Sequence, residues 1–215
     1  MKFTDEKKIV IFGTGQISEV AYHYLSQSSD LKIVGFAVEK KFFQHDKFKS
    51  LPVIEFEKIE KFFPKDKFYL FAPVSYKNLN KVRERIFNIG KKMGYRFYTY
   101  VHPGCIVNSK KIGENCFILE HNVIQPFVEI QNNCVLWSGN HIGHHTKILA
   151  NSFISSHVVI SGSVKIGKNS FLGVNATIID NIKIGDRNII GAGCLITKDT
   201  ENDAFIPGNS SKPHA

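Results

Sequence analysis

The chain is most informative first in what it lacks. Its 215 residues include one tryptophan, two methionines and seven prolines, and no run of about 18 apolar residues that could form a membrane-spanning helix. The first residues, MKFTDEKKIVIFGTG, have neither the apolar core nor the small-residue cleavage site of a secretory signal, so a cytoplasmic protein with no membrane insertion is expected. Four cysteines (Cys105, Cys116, Cys134, Cys194) are too far apart to form a C-x-x-C pair, which argues against a zinc knuckle or a dithiol redox motif and for free, buried thiols. The net charge of +9 has no accompanying nucleic-acid motif or aromatic-and-basic stripe, so no nucleic-acid partner is expected. The charge is unevenly distributed. Residues 1–100 carry 19 Lys/Arg against 11 Asp/Glu, and the remainder carries 9 against 8. Stretches such as EKKFFQHDKFK suit an anionic nucleotide-linked ligand, or simply a lysine-solvated surface.

The first hundred residues alternate strand and helix signals. KIVIF (Lys8–Phe12) runs into Gly13-Thr14-Gly15, followed by an amphipathic stretch over Ile17–Gln27. LKIVGFAV (Leu31–Val38) and KFYLF (Lys67–Phe71) read as strands, Glu55–Phe63 and Tyr76–Lys92 as helices, and Tyr95–Val101 as a further strand. This βαβ alternation predicts an α/β, Rossmann-like small domain over 1–102 with a parallel sheet. Gly13-Thr14-Gly15-Gln16-Ile17-Ser18 resembles G-x-G-x-x-G with Ser in the last place, and it could hold phosphates on backbone amides where the helix opens.

From residue 103 the pattern changes. Every sixth residue from Ile106 to Ile196 is Ile or Leu, through sixteen positions. Four residues after most of them comes a compact residue (Cys116, Val128, Cys134, Thr146, Ser152, Ser170, Ala176, Cys194), and Gly often follows the aliphatic residue directly (Gly113, Gly143, Gly167, Gly173). Neither the helical period nor the strand period produces a spacing of six. A three-faced parallel β-helix with coils of about 18 residues does, with Gly and Asn easing the turns through positive φ. The expected architecture is therefore an all-β parallel β-helix over 103–201, followed by a tail over 202–215. An unbroken register leaves no long lid, so any active site must be made of coil surfaces and turns. Within it, Ser138–Thr146 reads SGNHIGHHT, with three histidines in nine residues.

These hexads, together with IVIFGTGQISEVAYHYL, GVNATIIDNIKIGDRNIIGAGCLITKD and the tail IPGN, resemble the hexapeptide-repeat sugar acetyltransferases of the sialic acid O-acetyltransferase and bacillosamine N-acetyltransferase group. The resemblance covers essentially the whole chain. It implies a left-handed β-helix, a homotrimer with active sites between neighbouring β-helices, acetyl-CoA as co-substrate, a nucleotide-linked amino sugar as acceptor, and no metal. The function it implies is N-acetylation in surface-glycan biosynthesis, with O-acetylation as the near alternative. His144 matches the family's general base, and His145 stands where the family usually has an acidic partner. Phe153 replaces a second histidine found in some relatives, a role His157 could take in part. Gly162, with its backbone N–H, would lie at the thioester, and Val174 and Ala192 along the pantetheine arm. Gly13, Gly15 and Glu39 would bind the nucleotide, Glu39 remaining from an acidic pair, and Pro207-Gly208-Asn209-Ser210-Ser211-Lys212 matches a tail near coenzyme A.

Two other classes stay open on the residues alone. A lyase like the γ-type carbonic anhydrases, which share the β-helix, would need three histidines on one zinc, and His141, His144 and His145 are the candidates. A non-catalytic scaffold would form the same trimer without cleaving any thioester.

Overall fold

The computed structural model describes residues 6–208. It divides into two compact units. One comprises residues up to Ser75 together with Arg83–Thr99, and the other comprises Tyr76–Val82 together with the residues from Tyr100 onward.

In the first unit, β1 (Lys7–Phe12), α1 (Gln16–Leu25) and β2 (Leu31–Val38) form the expected βα unit, followed by β3 (Lys47–Phe48), β4 (Leu51–Glu55), α2 (Ile59–Phe62), β5 (Tyr69–Phe71), α3 (Lys81–Lys92) and β6 (Arg96–Phe97). The sheet order is β3-β4-β2-β1-β5-β6, and every pairing is parallel except β3 with β4. Ile9, Val10, Ile11, Phe36, Ala37, Leu70 and Phe71 are buried, which is why these strands read as continuous apolar runs. Two stretches depart from the expected pattern. The stretch between Val38 and Glu55, to which no element was assigned from the sequence, holds the antiparallel pair of β3 and β4, with Pro52 opposite Lys47. The helix expected from Tyr76 begins only at Lys81, because Asn78, Leu79 and Asn80 are left-handed. Their segment serves the second unit: Tyr76 packs against Phe153 and Phe171 at 5.1 and 4.8 Å, and the Asn80 amide donates to the carbonyls of Asn169 and Ser170.

The second unit is a three-sided left-handed β-helix of two-residue strands. Its three sheets have seven, six and five parallel strands. Residues 18 apart pair across successive coils, as Phe117–Ile118 does with Val135–Leu136 and then Phe153–Ile154. The second residue of each strand points inward, so Ile118, Leu136, Ile154, Leu172 and Ile190 form one of three buried aliphatic columns. The compact residues four positions later are buried beside them. The period slips only at the ends. Val107, not Ile106, pairs with Ile124, which leaves Ile106 60% exposed, so the first coil is one residue short. At the other end Phe205–Ile206 pairs with Ile189–Ile190, so strand pairing continues past residue 201.

The turns show how the hexad works. From Asn115 to Gly193 every sixth residue has positive φ, and most of these are Asn, His or Gly, which tolerate the left-handed region. The glycines that directly follow the aliphatic residues are not at these positions, which corrects their expected role. They are there because a β-carbon would strike the next coil: at Gly167 it would lie 2.3 Å from the Gly185 carbonyl oxygen, and at Gly143 2.4 Å from the Ser161 carbonyl carbon. Side chains also cap the coil above. Asn132 accepts from the Glu114 N–H and Asn202 from the Asp186 N–H. Inside one corner a ladder runs Asn115–Asn133–Asn151–Asn169.

The two kinds of turn residue should respond differently to alanine. Asn175→Ala, at φ 57, should cost about 1 kcal/mol, and Asn175→Gly almost nothing. Gly167→Ala, blocked by backbone, should cost more than either. Urea unfolding midpoints of the three variants check this ordering.

Candidate active site

His144 and His145 occupy one turn of the β-helix, between His141–Ile142 and Lys147–Ile148. His145 is at a positive-φ position (61°), so the fold accepts histidine there for the same reason it accepts Asn at Asn181 in the same column. His144 precedes it and is exposed. Its backbone N–H donates to the Gln125 Oε1 at 2.9 Å. The two rings meet nearly edge to face, with Nδ1 to Nδ1 at 3.1 Å. One nitrogen of this pair must carry the proton. With it on His144, Nδ1 donates to His145 and Nε2 keeps a lone pair. The His145 ring in turn lies against Phe127 at 4.7 Å, and Phe127 holds a positive φ of 65° while 69% exposed. A bulky residue in that conformation is strained, a condition concentrated at functional sites. The arrangement thus supplies His144 with a ring nitrogen where the family pattern has a carboxylate.

On its other edge His144 faces the next coil. A β-carbon at Gly162 would lie 2.6 Å from Cε1 and 2.8 Å from Nε2 of His144, so only glycine leaves the imidazole room. The Gly162 N–H, expected to serve the thioester oxygen, is instead donated to the Asp180 Oδ1 at 2.8 Å, which corrects that assignment. Gly162 therefore contributes space rather than a donor.

The sheet bearing His141 is flanked by two corners, that of His144 and that of His157. At the second corner the His157 ring covers Gly139, where a β-carbon would be 2.6 Å from it, as expected for residues 18 apart. Val174 and Ala192, also 18 apart, are exposed on the same corner, and Gly208 stacks beside Ala192. The tail positions Asn209, Ser210, Ser211 and Lys212 lie outside the described residues. Along this sheet the outward residues are Ile106, Val123, His141, Val159, Thr177 and Leu195, with no formal charge unless His141 is protonated, whereas the five-stranded sheet shows Lys111, Glu129, Lys147, Lys165 and Lys183. Phe153 is 3% exposed within an aromatic group with Phe171, Tyr76 and Trp137, so it cannot reach a ligand at the turns. Among the described residues no group of three or more His, Cys, Asp or Glu is placed to hold a metal ion, and the four cysteines are unpaired by disulfides. No helix among them is long and apolar enough to cross a membrane.

In the first unit Gly13 takes φ 99°, and a β-carbon there would meet the Ser18 Oγ at 2.5 Å. Ser18 is buried and donates to the Phe12 carbonyl, which explains serine in the last place of the glycine motif. Gly15 is the N-cap of α1, with an ordinary φ and open space where a side chain would go. Beside this loop a cavity of about 230 Å³ is lined by Thr14, Val38, Phe42, Gln44, His45, Lys47, Phe48 and Val53. Glu39 stands at the end of β2, but both its oxygens are held by Arg85 at 2.9 and 2.8 Å, which lowers its pKa. Phe42, Gln44, His45 and Lys47 were not singled out one by one from the sequence; their signal is the stretch EKKFFQHDKFK just after the second strand, which suits an anionic ligand or a lysine-solvated surface equally.

The stacked coils form a left-handed β-helix built on a six-residue repeat. The family model described as bacterial transferase hexapeptide (six repeats) matches residues 109–144 and 163–198. A sequence search of curated proteins finds no match. Solved structures similar to this chain include the acetyltransferase domain of PglB from Neisseria gonorrhoeae FA1090 (20% identity, 97% of this chain and 100% of that one, TM-score 0.83), also solved with acetyl coenzyme A. Another is the H141N mutant of perosamine N-acetyltransferase from Caulobacter crescentus in complex with CoA and GDP-perosamine (20% identity, 94% and 93% covered, TM-score 0.81). The chain shares the two-part fold of these proteins along nearly its whole length.

The Glu39–Arg85 pair carries a pH signature. Because the folded pKa of Glu39 is depressed, its stabilisation is complete above the usual glutamate value of about 4.3 and is lost as pH falls through the lower folded value. Arg85→Met should destabilise by no more than about 1 kcal/mol at neutral pH, since the pair is partly solvated. The gap to wild type should close on acidification, as read by unfolding at a series of pH values.

Proposed function

We propose that this chain is an acetyl-CoA-dependent N-acetyltransferase acting on a nucleotide-linked amino sugar, with His144 as general base, serving surface-glycan synthesis. The observation that carries the reading is the His144 ring itself: exposed, held at Nδ1 by His145, and open at Nε2 over a glycine. The fold shared with the two acetyltransferases supports it, and so does the coenzyme A and GDP-perosamine named with one of them.

In this reading the acceptor nitrogen attacks the thioester carbonyl carbon while its proton passes to the His144 Nε2. The carbon–sulfur bond then breaks, and the proton moves on to the departing coenzyme A sulfur. A positioned base of this kind contributes roughly 10²- to 10⁴-fold, and the remainder comes from holding both substrates in line. Val174, Ala192 and Gly208 leave low relief along which the pantetheine arm would lie, with Gly162 giving the thioester access to the base. The nucleotide would lie on the first unit, its phosphates at the amino end of α1 and its base in the cavity beside Thr14. With Glu39 engaged by Arg85, base recognition falls to residues such as Gln44 and His45. The homotrimer belongs to the same proposal: the uncharged outward face between the His144 and His157 corners is the surface suited to a second copy, and the lysine-bearing face is suited to water. O-acetylation remains the second reading, because a base at His144 serves a hydroxyl equally well.

His144→Asn should keep the fold and cut turnover by roughly 10²- to 10⁴-fold, measured as free thiol released from acetyl-CoA with uridine-, thymidine- and guanosine-linked 4-amino sugars. Near-full activity would remove His144 as the base. Gly15→Phe, whose β-carbon meets open space, should raise KM for the sugar nucleotide at least about tenfold and leave KM for acetyl-CoA and Tm unchanged. Equal losses for both substrates would count against the assigned role of the first unit.

A further inference from the structure

We propose that Asp180 selects an amine over a hydroxyl as the acetyl acceptor, by presenting its carboxylate to the reacting nitrogen from the side opposite the His144 base. This inference rests on the reading of His144 as the base.

His144, Gly162 and Asp180 occupy the same corner of three successive coils. A β-carbon at Gly162 would lie 2.8 Å from the His144 Nε2 and 3.2 Å from the Asp180 Oδ1. The imidazole edge and the carboxylate therefore converge on one small space that only glycine leaves clear. The carboxylate is fixed there, since Oδ1 accepts the Gly162 N–H at 2.8 Å. That bond alone does not require an acid. Elsewhere in the β-helix the same cap on the coil above is made by Asn132 and Asn202, which carry no charge, as well as by Asp186 and Asp199, which do. The cap can therefore be made without a charge, and of these aspartates Asp180 is the one whose carboxylate shares a corner with His144.

A charge in that place discriminates between nucleophiles. When a neutral amine attacks a carbonyl its nitrogen becomes positive, whereas a hydroxyl giving up its proton to a base develops negative charge on oxygen. A carboxylate a few ångströms away favours the first transition state and opposes the second. It also attracts the ammonium form in which the free amine arrives. The sequence balances: the ammonium releases one proton to water, and the nitrogen lone pair bonds to the thioester carbon. The second proton passes to the His144 Nε2, and the carbon–sulfur bond breaks with that proton delivered to sulfur. The products are amide, thiol and one proton in solution.

The test is Asp180→Asn in the full chain, which keeps an acceptor for the Gly162 N–H, with Asp180→Ser as a second variant should the first fail to fold. Steady-state kinetics are measured with the nucleotide-linked 4-amino sugar that the wild type uses best. Its 4-hydroxy counterpart is assayed both as substrate and as inhibitor, so that its affinity is read even where it is not acetylated. The expected result is at least a tenfold fall in kcat/KM for the amine, unchanged or tighter binding of the hydroxy compound, and unchanged KM for acetyl-CoA and Tm. An unchanged amine preference, or an equal loss for both acceptors, overturns the role of Asp180. If the amine is acetylated and His144→Asn abolishes turnover while Asp180→Asn behaves as wild type, the selection proposal alone fails. If no amine is acetylated by the wild type, both readings fall.

Discussion

Everything in the β-helix follows from one stacking constraint. Strands in neighbouring coils lie about 4.8 Å apart, so each residue sits directly over the one 18 positions before it. Buried aliphatics can then form continuous columns, but the backbones of adjacent turns come so close that some positions have no room for a β-carbon at all. The glycines after the aliphatic residues answer that crowding. The Asn, His and Gly three positions after the aliphatic residue answer the left-handed turn that redirects the chain. Two different demands thus act on residues two positions apart.

The candidate site is built from the same constraint and adds little to it. A histidine, a glycine and an aspartate at one corner are three consecutive choices at a position the fold leaves exposed or small. His145 joins them from the adjoining left-handed position, where histidine is structurally acceptable and also supplies Nδ1 to its neighbour. The strained Phe127 behind it is the clearest departure from turn chemistry in the β-helix, and its ring packs on this histidine.

Much of this was legible from the sequence because the repeat is periodic. The spacing of six identified the inward columns from Ile112 to Ile196, and coils of 18 residues account for the stacking of His157 on Gly139 and of His144 over Gly162. The ends escaped, since a short first coil puts Ile106 outside and Val107 inside without disturbing the run of aliphatic letters. The role of Glu39 was not legible either. Its bond to Arg85 spans 46 positions and leaves no periodic trace, and the left-handed residues before α3 are hidden inside an amphipathic pattern that favours helix. Asp180 was available by the same addition of 18 that linked His144 to Gly162, carried one coil further.

The three-sided coil also governs which insertions and deletions such a chain can absorb. Removing or adding 18 residues away from the site changes its height and leaves each column in line. A change of six keeps every aliphatic residue inward and every turn intact, yet carries all later side chains one face round the prism. Placed between His144 and Asp180, it would preserve a well-packed β-helix while moving the carboxylate to another corner. Stability and chemistry therefore have different periods in this molecule: six for the core, eighteen for the site.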